Sequence, residues 1–119
     1  MNELELTILS EQKGFDPGVE VSVRVGWKFD ETPDALELRL VWNTSGKGDR
    51  DLKVVQVVEI SPSSPTGSHE VMLTLPWGPY SFSGKLLSIV WALELVAFPN
   101  NESLRREIVL APNGEEVVV

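Results

Sequence analysis

Cysteine is absent from this chain, and histidine occurs once, at position 69. Without a thiol there is no disulfide, no thiolate nucleophile and no cysteine-held zinc or iron–sulfur site. With one imidazole there is no histidine cluster to hold a metal. Basic residues are also sparse, ten Lys and Arg against 18 Asp and Glu, for a net charge of −8. Only Arg105 and Arg106 stand side by side. A nucleic-acid binder needs a basic face to release counterions from phosphates, and attachment to an anionic membrane needs basic residues too. Neither partner is expected. No run of about 18 apolar residues occurs, so no membrane insertion is expected. The opening MNELELTILSEQKG is acidic where a secretion signal is basic, and no apolar segment follows it. The expectation is a soluble cytoplasmic protein without a cofactor.

What the chain has is alternation. Val19, Val21, Val23, Val25, Trp27 and Phe29 alternate with Glu20, Ser22, Arg24, Gly26 and Lys28. That is period two with one face wet. Leu36, Leu38, Leu40 and Trp42 alternate in the same way, and Leu4, Leu6 and Ile8 open the series. Val71, Leu73 and Leu75 make a shorter piece. The longest inward row is Leu87, Ile89, Trp91, Leu93, Leu95 and Ala97, on a strand expected to run from Leu86 to Phe98. Leu104, Ile108 and Leu110 close the set. Residues 52–60, LKVVQVVEI, are apolar on both faces, which predicts a bulge or sheet crossing near Val54–Val55. No window has the period of an amphipathic helix.

Turn residues separate these rows at the spacing of an all-β sandwich. The breaks lie at 14–18, 30–34, 43–49, 61–67, 76–84, 99–103 and 112–114, each holding Pro, Gly, Asn or Asp. Proline cannot donate to a ladder, and glycine reaches positive φ, so these clusters end strands. The prediction is a single domain over residues 1–119. It is a two-layer antiparallel β-sandwich of seven to eight strands, arrestin-like or immunoglobulin-like in kind. Trp27, Trp42 and Trp91 fall on inward rows. Each such ring, once buried, stabilises by roughly 2–3 kcal/mol through area alone.

The corner at 75–84 carries a resemblance. Leu73-x-Leu75-Pro76, then Pro79-x-Ser81-Phe82-x-Gly84, then Leu87-x-Ile89-x-Trp91-x-Leu93-x-Leu95 resembles the second half of an arrestin-like domain. Upstream, Phe15-x-Pro17-Gly18-x-x-Val21-x-Val23 is similar to that family's approach to its second strand. Bacterial arrestin-like proteins linked to sporulation control share this strand–corner–strand logic. Members usually carry two sandwiches in tandem, and this chain has room for one. The basic residues by which visual arrestins sense receptor phosphates have no counterpart here. The resemblance implies a protein-interaction module, an adaptor or scaffold and not an enzyme.

The residues offer little chemistry of their own. His69 has Ser68 and Glu70 as neighbours, but strand alternation sends both to the opposite face, so no nucleophile–base–acid set is expected. Asp30, Glu31 and Asp34 share a loop, and Asp49 and Asp51 another. Neither has the spacing of a calcium loop, which gathers about six to eight oxygens. Gly46-Lys47-Gly48 lacks the spacing of a phosphate loop.

Surface hydrophobicity is the better lead. Opposite the Trp91 row lie Leu86, Val90, Ala92, Val96 and Phe98, and Val55 and Val57 sit on the second bifacial strand. Either a loop or the C-terminal segment covers this face, or it meets a protein partner, a second copy of the chain included. The tail Val117-Val118-Val119 either completes the chain's own sheet or pairs with another chain. Trp77 and Tyr80 sit in Pro76-Trp77-Gly78-Pro79-Tyr80. Either the Trp77 ring folds over the end of the core, or both rings stand out and form a carbohydrate- or peptide-binding site.

Overall fold

The alternating rows become strands, because a period of two puts one set of side chains into a dry gap and the other into water. A computed structural model describes residues 2–10, 12–46, 52–84, 87–115 and 117–118. In chain order the strands are β1 (Glu3–Ile8), β2 (Gly14–Phe15), β3 (Glu20–Lys28), β4 (Ala35–Gly46), β5 (Leu52–Ile60), β6 (Thr66–Thr74), β7 (Phe82–Ser83), β8 (Leu87–Phe98), β9 (Glu102–Leu110) and β10 (Val117–Val118). Seven run six residues or more, and β2, β7 and β10 are two-residue pieces. The one helical element among the described residues is a 3-10 turn at Pro112–Gly114. No described helix is long and apolar enough to cross a membrane.

The smaller sheet has the order β1-β3-β6, antiparallel throughout. The larger runs β5-β4-β8, all antiparallel, with β5 as its last strand on that side. Beyond β8 the edge is shared. Ser88 and Ile89 pair with β7, and Trp91 to Ala97 pair with β9. Two short parallel ladders extend this side, β2 on β9 and β10 on β7. Two-residue pairings are too short to leave a periodic signature, so the turn reading at 14–18 missed one of them. Phe15 is buried, and Val109 and Ala111 donate their N–H groups to Lys13 O and Phe15 O at 2.8 and 3.1 Å. The backbones approach so closely here that a Cβ on Gly14 would lie 2.2 Å from Gly114 O.

The inward rows of both sheets make one core. Leu6, Val23, Val25, Leu36, Leu38, Leu40, Trp91, Leu95 and Leu110 are all fully enclosed. Trp91 faces half-buried Trp42 across the β4–β8 ladder, with ring centroids 6.4 Å apart and planes tilted by 44°. The expected irregularity at Val54–Val55 is present. Leu40 pairs with Gln56 and Val41 with Val54, leaving Val55 as the extra residue of a bulge. β6 begins five residues earlier than its apolar row, at Thr66 and not Val71. Its inward positions there are Gly67, which lies against the Trp27 ring, and exposed His69. The pattern fades past the rim of the core while the backbone goes on pairing with β3. The tail completes the chain's own sheet, since Val117 and Val118 pair with Phe82 and Ser83; Val119 lies outside the described residues.

Candidate functional site

The corner between β6 and β8 is held from beneath. Leu75 N–H donates to Val19 O at 2.8 Å as the chain leaves the smaller sheet. The Trp91 indole N–H donates to Pro79 O at 2.6 Å. Ser81, 2% exposed, is clasped to β9 twice: its N–H donates to Leu110 O at 2.7 Å, and its Oγ accepts from Leu110 N–H at 2.9 Å. A buried hydroxyl that satisfies a buried backbone donor holds a loop in one place. Nothing in the residue types around Ser81 announces this clasp.

On this fixed corner Trp77 is 77% exposed and Tyr80 43%. Trp77 does not fold over the end of the core. Its six-membered ring rests beside Gly18, whose φ is +80°. A Cβ at that position would lie 2.7 Å from Trp77 Cζ2. Glycine thus serves both the left-handed backbone and the close approach of the ring. Trp77 and Tyr80 are both in water, and neither stacks on another aromatic ring of the described residues.

The outer face of the larger sheet differs from expectation. Ala92 and Val96 are buried, Val90 and Phe98 are half-buried, and Leu86 lies outside the described residues. Val41 and Glu107 flank Ala92, and Glu37 and Ser103 flank Val96, on the neighbouring strands. Over this floor run Arg39, paired to Glu37 at 2.9 Å and stacked above Phe98 at 5.9 Å, and Arg105, paired to Glu94 at 2.9 Å. Arg105 also donates to Asn43 Oδ1 at 2.7 Å. Long charged side chains lie flat, covering short apolar ones with their stems while their heads stay wet. The β8 members of the expected docking face are therefore roofed by the chain itself.

The β5 members are not. Val55 is 40% and Val57 48% exposed, and Leu52 and Val54, which the sequence reading did not single out, reach 56% and 49%. Among the described residues β5 has β4 on one side and no strand on the other. Among the described residues one polar tie runs from β5 to the smaller sheet, from Gln56 Nε2 to Thr74 O at 2.7 Å.

The chemical candidates stay apart. Glu70 is turned to Arg24 at 3.0 Å, on the face opposite His69. Asp30, Glu31 and Asp34 are exposed on one loop, where Asp30 N–H donates to Asn2 Oδ1 and Asp34 N–H to Phe98 O. Asp49 and Asp51 lie outside the described residues.

No family model and no curated protein matches this sequence. Among solved structures, Spo0M, a sporulation control protein from Bacillus subtilis, is similar with a TM-score of 0.69 and 17% identity. The match covers 93% of this chain and 49% of that one, so the chain spans about half the length of Spo0M. At that identity the likeness shows the fold alone. The fold is an all-β sandwich of the arrestin-like kind.

Proposed function

We propose that the chain is a protein-interaction module of arrestin-like type, an adaptor or scaffold with no catalytic step of its own. The observation that carries this reading is the open edge of β5. Leu52, Val54, Val55 and Val57 are in water on a strand that has one neighbour among the described residues. An edge strand offers unpaired N–H and C=O groups as a template for another strand, and natural edges are usually blunted by charge or proline. β5 has neither proline nor a central charge, and its one blunting device is the bulge at Val55. A partner strand laid here gains main-chain hydrogen bonds and a row of valine contacts. Spo0M, as a sporulation control protein, agrees with a regulatory or adaptor role. The acidity of the chain disfavours nucleic acid as the partner. The test compares proteins captured from native lysate by wild type and by Val57→Lys, an exposed substitution that should leave the circular-dichroism spectrum unchanged. Loss of the captured partner is expected; an identical set from both would refute the reading.

The exposure of Trp77 and Tyr80 favours a second reading, a carbohydrate- or peptide-binding corner. A ring seated on one face and open on the other is a stacking platform. Oligosaccharide or peptide should then quench fluorescence in wild type and not in Trp77→Ala. Equal quenching in both ends this reading.

A further inference from the structure

The bulge at Val55 decides what each face of β5 carries. Leu52, Val54, Val57 and Glu59 pair with Asn43, Val41, Arg39 and Glu37, so they share the outer face. Lys53, Gln56, Val58 and Ile60 pair with Trp42, Leu40, Leu38 and Leu36, on the inner row. The outer row thus ends on exposed Glu59, directly across from Glu37. Like charges facing each other on antiparallel strands repel. Arg39 does not settle this pair. Its Nε and Nη2 both donate to Glu37 Oε1, at 3.0 and 2.9 Å, and its guanidinium lies over the Phe98 ring. Among the described residues Glu59 has no basic partner. The open flank of β5 therefore suits aliphatic side chains beside Leu52, Val54 and Val57, and a cation beside Glu59. The edge of β6 suits neither. Its large exposed apolar residue is Met72 alone, and its acid Glu70 already holds Arg24.

We propose that β5 takes an extended segment of a partner protein whose alternate residues are aliphatic and whose row ends in an arginine or lysine beside Glu59. This rests on the reading of β5 as a docking edge and names the chemistry of its occupant. In strand addition the main chain supplies affinity and alternate side chains supply selection. Here the selecting row is the outer one. A cation at its end neutralises the member of the Glu37–Glu59 pair that Arg39 leaves alone. The net charge of −8 draws such a segment in and turns an acidic one away.

The probes are labelled, end-capped peptides. RTVTVTV and VTVTVTR present the arginine and valines on one face for the two strand directions, and ETVTVTV and VTVTVTE carry the opposite charge. Each is held at trace concentration while protein is titrated and fluorescence anisotropy is read. One arginine peptide should bind roughly tenfold more tightly than its glutamate twin, since attraction is gained and repulsion avoided at one facing position. Glu59→Lys removes the facing carboxylates, so it should fold, and it should reverse the preference. Glu5→Lys makes the same change in net charge on exposed β1, at the far edge of the smaller sheet, and should keep it. No binding of either arginine peptide at about 1 mM protein would overturn the proposal. So would equal binding of arginine and glutamate peptides, or a preference that Glu5→Lys reverses as readily as Glu59→Lys. A concentration-dependent dimer of the chain that Val57→Lys dissolves gives the edge to a second copy and also overturns it. Failure here differs from failure of the docking edge itself. A protein that ignores the arginine peptides yet still loses a captured partner on Val57→Lys rejects the cationic segment and keeps the edge.

Discussion

Ser81→Ala isolates the bond that fixes the aromatic corner. Leu110 is fully buried, and its N–H has Ser81 Oγ as acceptor at 2.9 Å. Alanine removes one oxygen and leaves that donor without a partner in a dry place. The reciprocal bond from Ser81 N–H to Leu110 O survives, because it is main chain to main chain. An unsatisfied buried amide costs about 1–3 kcal/mol, while the missing oxygen leaves almost no void. At roughly 3–6 °C per kcal/mol for a domain near this size, Tm should fall by about 3–18 °C. Urea unfolding followed by tryptophan fluorescence checks this. The midpoint should drop with the slope m unchanged, since the surface exposed on unfolding is the same. Ser103→Ala, exposed on β9, serves as the control and should stay within about 0.5 kcal/mol. If Ser81→Ala behaves like Ser103→Ala, Leu110 N–H finds another acceptor in solution, and the corner is not held as described.

Two further outcomes follow from the same corner. Gly18→Ala should cost about 1–2 kcal/mol in urea unfolding, because φ is +80° there, and Gly18→Asn should cost less, since asparagine tolerates the left-handed region. Equal losses would assign the cost to collision with the Trp77 ring instead of to the backbone. Trp77→Ala, the variant that tests the stacking platform, should move stability by no more than about 0.5 kcal/mol, because a ring 77% in water adds little to the fold; a larger loss would make Trp77 part of the core's end wall.

The strands were legible because alternation is a local property. Val21, Val23 and Val25 face inward whatever lies across from them, and only the register of a ladder is decided elsewhere. The bulge at Val55 was legible for the same reason: an apolar run on both faces of LKVVQVVEI cannot keep regular alternation. The two-residue ladder β2–β9 was not, since no pattern fits in two positions, whereas the pairing of β10 within the chain's own sheet was one of the two readings of the valine tail, with only its neighbour β7 undetermined. The Ser81 clasp, which joins residues 29 apart in sequence through a common side chain, was not legible either.

The apolar surplus on β5 and on β8 read alike and met opposite fates, and position in the sheet accounts for the difference. β8 lies inside the sheet, between β4 on one side and β7 and β9 on the other, so Ala92 and Val96 have residues with long stems on both sides, and Arg39, Glu37, Arg105 and Glu94 close over them. Among the described residues β5 has β4 alone beside it, and that supplies only one flank of such a roof. Valine there stays wet unless a strand from outside supplies the other flank. Which of two similar rows ends up open is thus a matter of strand order, and strand order is set by contacts that no window of residues contains. It follows that adding a covering arginine to β5 itself, on the pattern of Arg39, would blunt the edge without a partner. That the chain carries valine at these positions instead is the physical basis for treating β5 as a contact surface.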